Sequence, residues 1–189
     1  MRLLVTDELG RSASVQTIVH VTPSATLNCN GKAATIVEVA GAGAVHGTSG
    51  DDVIVGTPGN DTIYGMTGDD TICGLGGNDF LRGLAGDDYV DAGSGNNTVY
   101  TDEGDDMVVA GNGNNVIYGG RGNDMLSAGN GNNKIFGDSG DDTIVAGVGF
   151  NTLQGDAGND KLSTAASNGN VWGCDGWDLM RTATHSWQG

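Results

Sequence analysis

The chain has 189 residues, of which 35 are glycine and only two are proline, and hydrophobic residues make up 37% of it. Its formal net charge is −16, because 24 acidic residues face eight Lys and Arg. A chain this acidic lacks the basic footprint that nucleic acid or an anionic membrane surface requires, so cations are its natural partners. No stretch approaches the roughly 18 apolar residues of a membrane span.

Residues 1–22 predict a β-hairpin. Strand-forming residues alternate at Val15, Thr17, Val19 and Val21, and a turn is expected near Gly10. Two strands do not make a domain, so we interpret them as a remnant of an immunoglobulin-like or PKD-type module. Other domains of a larger parent protein are therefore expected partners, and residues 23–31 are predicted to be a linker.

Residues 32–47 predict the capping coils of a repeat array. Ile36 and Val45 keep a nine-residue spacing that continues to Ile54, but the acids that follow in later repeats are missing. We therefore expect these coils to cover the end of the array and to bind no cation.

The segment 48–182 divides into fifteen blocks of nine residues without insertion or deletion. Its third position is glycine except at Ser167, and its fifth is Asp or Asn except at Gly169. The seventh position is aliphatic in every block: Ile54, Ile63, Ile72, Leu81, Val90, Val99, Val108, Ile117, Leu126, Ile135, Ile144, Leu153, Leu162, Val171 and Met180. Each block predicts a short strand followed by a glycine-rich turn, and strands this short must stack on one another.

This pattern resembles the G-G-x-G-x-D-x-U-x nonapeptide of the RTX, or hemolysin-type, calcium-binding repeat family, where U is a large aliphatic residue. The resemblance implies an all-β fold, a parallel β-roll in which two nonapeptides form each coil of a right-handed β-solenoid. It also implies multiple Ca²⁺ ions between successive coils, held by the repeat aspartates and main-chain oxygens. An extracellular, secreted protein that folds when it meets calcium outside the cell is the implied context.

Residues 18 apart should lie above one another, so the fifth positions form two columns, one on each edge of the roll. The first column, on what we call the acidic edge, is Asp52, Asp70, Asp88, Asp106, Asp124, Asp142, Asp160 and Asp178. The second, on what we call the amide edge, is Asp61, Asp79, Asn97, Asn115, Asn133, Asn151 and Gly169.

Stacked carboxylates repel one another, and calcium takes hard oxygen ligands, so all ten of these aspartates are predicted calcium ligands. Beyond Asp79 we expect a ladder of hydrogen-bonded amides. The alternative is that Asp and Asn are interchangeable turn formers here.

The eighth positions of the second sheet place Tyr64, Tyr100, Tyr118 and Phe136 in a row on the outer surface. This row is a candidate ligand face for a glycan or a protein partner. Alternatively, the rings only stabilise neighbouring strands.

Cys29, Cys73 and Cys174 lack metal-ligand spacing, and we interpret them as unrelated small residues, with a bridge from Cys29 as the alternative. Neither G-x-S-x-G nor H-E-x-x-H occurs, so no enzyme activity is predicted.

The three tryptophans, Trp172, Trp177 and Trp187, predict a hydrophobic lid at the C-terminal end, and 183–189 a short tail. The function expected from the whole sequence is a structural or secretion-linked calcium-binding module of an exported protein. An adhesin or carbohydrate-binding module is the alternative.

Overall fold

The computed structural model describes residues 19–20, 27–38, 43–165 and 169–182. Within these ranges the regular structure is entirely β-strand, and no helix has the length and apolarity of a bilayer span. The strands are β1 (Val19–His20), β2 (Asn28–Cys29), β3 (Lys32–Ala33), β4 (Ile36–Val37), β5 (Val45–His46), β6 (Val53–Val55), β7 (Thr62–Thr67), β8 (Thr71–Cys73), β9 (Phe80–Ala85), β10 (Tyr89–Gly93), β11 (Thr98–Glu103), β12 (Met107–Ala110), β13 (Val116–Arg121), β14 (Met125–Ala128), β15 (Lys134–Ser139), β16 (Thr143–Ala146), β17 (Thr152–Ala157), β18 (Lys161–Thr164), β19 (Asn170–Asp175) and β20 (Leu179–Thr182).

The strands alternate between two sheets along the chain. The first sheet has the order β1-β4-β6-β8-β10-β12-β14-β16-β18-β20, and the second has the order β19-β17-β15-β13-β11-β9-β7-β5. From β4 onward, pairing is parallel and joins residues 18 apart, as Val90 with Val108 and Val99 with Ile117. Each coil therefore consists of two nonapeptides, and the predicted all-β parallel β-roll, of about eight coils, is confirmed.

The core lies between the sheets and is built from the seventh position of each nonapeptide. Every such residue from Ile54 to Leu162 is at most 1% exposed. Val171 is partly buried against this cluster, whereas Met180 in the last described coil is half exposed. Each strand thus contributes essentially one large side chain to the core, as the repeat pattern predicts.

A short antiparallel hairpin, β2 and β3, precedes the roll and covers part of its first sheet. Asn30 and Gly31 form its turn with φ of 48° and 76°, the left-handed pair that a two-residue hairpin loop requires. The predicted linker 23–31 therefore includes strand β2 and the turn of this hairpin. Of the hairpin predicted at 1–22, only β1 lies within the described residues, and it pairs antiparallel with β4.

A disulfide joins Cys29 to Cys73 across 44 residues and ties this hairpin to the roll. The interpretation of the cysteines as unrelated was wrong, and the alternative, a bridge from Cys29, is correct. The bridge packs with Val53 and Val55 in a small apolar cluster of its own. Cys174 is free and exposed.

The lid predicted from the tryptophans is wrong where the structure describes it. Trp177 is 90% exposed and Trp172 is 47% exposed. Trp172 is at an outward strand position and Trp177 is in a turn, so neither side chain can cover the core. Trp187 and the tail 183–189 lie outside the described residues.

Candidate metal centre

The aspartates of the acidic edge are buried and hydrogen-bonded to one another's main chain. Asp124, for example, is 2% exposed, and its Oδ1 accepts the N–H of Asp106, one coil earlier, at 2.9 Å. The same bond recurs without a break from Asp52 to Asp178. One carboxylate oxygen in each coil therefore holds the coils in register.

The second oxygen of most of these carboxylates has no hydrogen-bond donor. The buried Oδ2 atoms without a partner belong to Asp70, Asp88, Asp106, Asp124, Asp142 and Asp160, and on the amide edge to Asp79. An ionised oxygen without a donor is among the most costly groups to bury. The row of free Oδ2 atoms is therefore the feature of this edge that demands a positive partner.

Main-chain oxygens lie beside these free carboxylate oxygens. A Cβ on Gly119 would come within 3 Å of both Asp124 Oδ2 and the carbonyl oxygen of Gly137 in the next coil. Gly137 has the same relation to Asp142 and to the carbonyl oxygen of Gly155. Two acceptor oxygens from successive coils thus converge beside a glycine that leaves the space open.

The backbone of the acidic edge is also unusual. From Met66 onward the first residue of its turns has a left-handed conformation, as does Leu75 before Asp79 on the amide edge, and this costs energy for a side chain other than glycine. The non-glycine examples are Met66, Leu84, Asp102, Asp138, Asp156 and Cys174, with φ between 72° and 94°. Repeated strain of this kind is typical of ligand-binding turns.

Burial sets the protonation of these carboxyls when no counter-charge is present. It raises the pKa of Asp88 to about 8, that of Asp124 and Asp142 to about 7, and that of Asp70 to about 6. Neighbouring carboxylates contribute to this rise, and hydrogen bonds from main-chain N–H groups oppose it. Without a cation, part of the column therefore retains protons near neutral pH.

From Asn97 to Asn151 the side chains of the amide edge are hydrogen-bonded within the protein. Asn115 Oδ1 accepts the N–H of Asn97 at 3.0 Å. Its Nδ2 donates to the carbonyl oxygens of Gly111 and Gly113, at 3.1 and 3.3 Å, and to Oδ1 of Asn133 at 3.1 Å. Stacked amides therefore hydrogen-bond along the column.

Asn133 repeats this arrangement one coil further along, so the amide nitrogen is a donor where aspartate has its free oxygen. Asp and Asn are not interchangeable turn formers here, because they make different contacts.

The ninth position distinguishes the aspartate turns from the asparagine turns, a signal that sequence analysis missed. Glycine precedes the aspartate turns, as at Gly65, Gly83, Gly119, Gly137, Gly155 and Gly173, with Thr101 as the exception. Alanine precedes the asparagine turns, at Ala92, Ala110, Ala128 and Ala146. The space that glycine leaves open beside Oδ2 is therefore filled by a methyl group on the amide edge.

The first aspartates of both columns already have donors. Asp52 Oδ2 accepts the N–H and the hydroxyl of Thr48 at 2.6 and 2.8 Å. Asp61 accepts the N–H and the hydroxyl of Thr57, both at 2.7 Å. Among the predicted ligands these two are therefore less dependent on a cation than the inner members of their columns. Asp178, in the last described coil, is only half-buried.

The predicted aromatic row is present and longer than expected. Tyr100, Tyr118 and Phe136 stack with ring centroids 4.7 and 4.9 Å apart and nearly parallel planes. Phe80 connects Tyr100 to Tyr64 with tilted rings, since Arg82 at the expected position turns away to pair with Asp102.

His46 extends the row by stacking on Tyr64 at 4.8 Å. Sequence analysis missed His46 and Phe80, although His46 lies 18 residues before Tyr64, the same spacing that joins Tyr100 to Tyr118.

Comparison with known families gives a match that agrees with this geometry. The model of the RTX calcium-binding nonapeptide repeat, four copies long, matches residues 46–81, 65–99, 74–108, 100–135 and 136–171. These segments run without a gap from 46 to 171, about two thirds of the chain. A search of the curated proteins returned no match.

Free carboxylate oxygens beside main-chain carbonyls are the ligand type that Ca²⁺ takes, so the residues fit the ion. In the part of the chain that the structure describes, no three His, Cys, Asp or Glu side chains form a cluster for a metal. The oxygens that converge come from one carboxylate and the main chain.

Proposed function

The chain belongs to the RTX calcium-binding nonapeptide repeat family, and we propose on that basis a β-roll module that folds on binding Ca²⁺ as a structural or secretion-linked part of a larger exported protein. The family is a structural calcium-binding module and not an enzyme family, and we propose no catalytic role. The observation that carries the proposal is the row of buried Oδ2 atoms that have no donor.

The proposed ligands are the acidic-edge column from Asp52 to Asp178 and, on the amide edge, Asp61 and Asp79. A bound Ca²⁺ would supply positive charge between successive coils. The protein contributes a fixed Oδ1, which binds the previous coil's N–H, and an Oδ2 that stays available. The left-handed turn residues and the open ninth position leave room beside that oxygen.

Folding is proposed to require the ion because the ion-free roll has to bury these oxygens uncompensated. Seven aspartate Oδ2 atoms lack a donor, and each such group costs about 1–3 kcal/mol or more. The sum, on the order of 7–21 kcal/mol, is comparable to the whole stability of a typical domain, about 5–15 kcal/mol.

A calcium titration followed by far-ultraviolet circular dichroism tests this proposal. We expect a weak β spectrum in chelator and a cooperative rise as Ca²⁺ is added, with a smaller response to Mg²⁺, which demands a stricter octahedral geometry. A β spectrum that is unchanged in excess EDTA would overturn the proposal.

An extracellular location is supported by the bridge between Cys29 and Cys73, since disulfides persist in oxidising compartments. Extracellular calcium modules also work with weak sites, about 10⁻⁴–10⁻³ M. We expect the parent protein in the culture medium, with both cysteines blocked to thiol reagents. Retention in the cell with both thiols reactive would contradict this location.

An adhesin or carbohydrate-binding role through the aromatic row is the second candidate. The nearly parallel rings of Tyr100, Tyr118 and Phe136 cover one another's faces, so a sugar would meet mainly ring edges. This geometry favours mutual stabilisation of the strands. Glycan-array binding that is lost in Tyr100→Ala and Tyr118→Ala, with the calcium-induced β spectrum intact, would favour the adhesin role instead.

A further inference from the structure

Glu38 occupies a position that is glycine in the next two coils, at Gly56 and Gly74, and alanine in the coils from Ala92 to Ala146. Ile36 pairs with Ile54 and Val37 with Val55, so Glu38 stands one coil before Gly56 on the amide edge. A Cβ on Gly56 would point at Asp61 Oδ2, at 2.5 Å, and at the carbonyl oxygen of Gly74, at 3.1 Å. Side chains at this column therefore point into the turn where the carboxylates of the amide edge lie.

The capping coil has no acid of its own at the fifth position, where Gly43 stands. Glu38 supplies one from the ninth position instead. Its carboxyl lies close to that of Asp61, with which it lines one cavity. The carboxylate column of the amide edge thus has three members, Glu38, Asp61 and Asp79, although the fifth positions alone predict two.

The Glu38 carboxyl is buried beside a cavity and is not satisfied. The residue is only 9% exposed, and its Oε2 has no hydrogen-bond partner. A cavity of about 490 Å³ lies against it, between the capping coil and the first acidic turn, and is also lined by Gly43, Thr57, Asn60 and Asp61. A buried, unpaired carboxylate oxygen at a polar cavity requires a proton or a cation.

The neighbouring carboxyls of Asp61 and Asp79 favour a cation over a proton beside Glu38 Oε2. Asp61 has no donor to offer Glu38 if both are ionised, and a single shared proton would still leave a negative charge on the pair. Asp79, one coil further on, is 3% exposed and has its own unpaired Oδ2.

We propose that Glu38 and Asp61 hold one additional Ca²⁺ ion, in the cavity between the capping coil and the first acidic turn of the amide edge. The inference rests on the proposed function, because it assumes that the repeat aspartates bind calcium. It departs from the expectation that the capping coils bind no cation. Sequence analysis missed the site because Glu38 is at the ninth position rather than the fourth or fifth.

The experiment compares the unmodified chain with Glu38→Gln and with Glu103→Gln as matched control. Glu103 is exposed, pairs with Arg121 at 2.8 Å and lies outside the proposed site. Titration calorimetry with CaCl₂ counts the bound ions. We expect Glu38→Gln to bind one ion fewer, or to bind that ion at least tenfold more weakly, and Glu103→Gln to match the unmodified chain.

Anomalous diffraction from calcium-loaded crystals of the unmodified chain gives a second answer that does not depend on a variant folding. A peak within ligand distance of Glu38 and Asp61 supports the site, and no peak there in a crystal with peaks along the acidic edge overturns it. Equal ion counts for Glu38→Gln and the unmodified chain also overturn it. If the unmodified chain binds no calcium at all, the proposed function fails rather than this site alone.

Discussion

Replacing Asp124 by asparagine should change the ion-free and the calcium-loaded protein in opposite directions. The Oδ1 that accepts the N–H of Asp106 is retained in Asp124→Asn, so the register between coils is kept. The free Oδ2 becomes an amide nitrogen, which can donate to nearby carbonyl oxygens as Asn115 does on the amide edge. The substitution therefore removes the unpaired charge and a proposed calcium ligand at once.

The size of the ion-free effect follows from the burial of Asp124. Burial, with the charges of Asp106 and Asp142, raises its pKa from the ordinary 3.8 to about 7. At 1.36 kcal/mol for each pH unit, the buried carboxyl destabilises the ion-free fold at pH 7 by roughly 4 kcal/mol. Since asparagine keeps the hydrogen bond but fits a different turn, we expect a gain of about 2–4 kcal/mol.

Two measurements test the two directions. In EDTA, trimethylamine N-oxide favours the compact state, and the osmolyte concentration at half-folding should be lower for Asp124→Asn than for the unmodified chain. In calcium, titration calorimetry should show at least one ion fewer. The control is Asp105→Asn, which removes an exposed carboxylate from the same edge and keeps the Oδ1 that accepts the N–H of Asn123. It should change neither result appreciably.

The reasoning is refuted if Asp124→Asn needs more osmolyte than the unmodified chain in EDTA, because the buried carboxylate would then not be a source of instability. It is also refuted if the ion count stays the same, because Asp124 would then not be a ligand.

Three further predictions concern the rest of the molecule. Because burial raises the pKa of carboxyls such as Asp88, from 3.8 to about 8, the ion-free fold binds protons more tightly than the unfolded chain does. The stability of the ion-free fold should therefore fall as pH rises from about 4 to about 8. Circular dichroism in EDTA should show more β-structure at pH 5 than at pH 7, and the reverse order would contradict this. Replacing Cys29 and Cys73 by serine opens a 44-residue connection, which should lower the stability of the calcium-loaded protein by about 4 kcal/mol without changing the ion count. An unchanged midpoint of thermal unfolding would show that the bridge does not stabilise the fold. Asn133→Asp loses the donors to its turn carbonyls and should cost about 2–4 kcal/mol in saturating calcium, measured by denaturant unfolding; the exposed Asn114→Asp is its control, and equal stabilities would mean that the amide ladder is not needed.

The fold was predictable because the repeat expresses one physical requirement fifteen times. An aliphatic residue at each seventh position, such as Ile117, predicts short strands that must stack, and the resemblance to the RTX repeat family implied the coil of two nonapeptides that pairs residues 18 apart. The two-column division of the fifth positions follows from the same spacing. The sequence and that resemblance therefore placed Asp124 and Asn133 on different edges.

Features that depend on contacts outside the period were not predictable in the same way. The disulfide requires Cys29 and Cys73 to meet across 44 residues, which no spacing rule reveals. The Asn30-Gly31 pair is typical of a two-residue hairpin loop, but the sequence analysis assigned it to a linker. Glu38 and Phe80 act from positions that carry other residue types in the other coils, so a column-by-column reading of the repeat assigns them no role.

The core between the sheets has a consequence for how the protein fails. Because each coil packs only on the coil above and the coil below, contacts in the core form a linear series along the axis of the roll. If a polar residue replaces Ile117, no other core contacts join the coils on its two sides. Such a substitution should let the two parts of the roll unfold independently. The effect of a core substitution on unfolding should then depend on its position along the axis more than on the apolar area that it exposes.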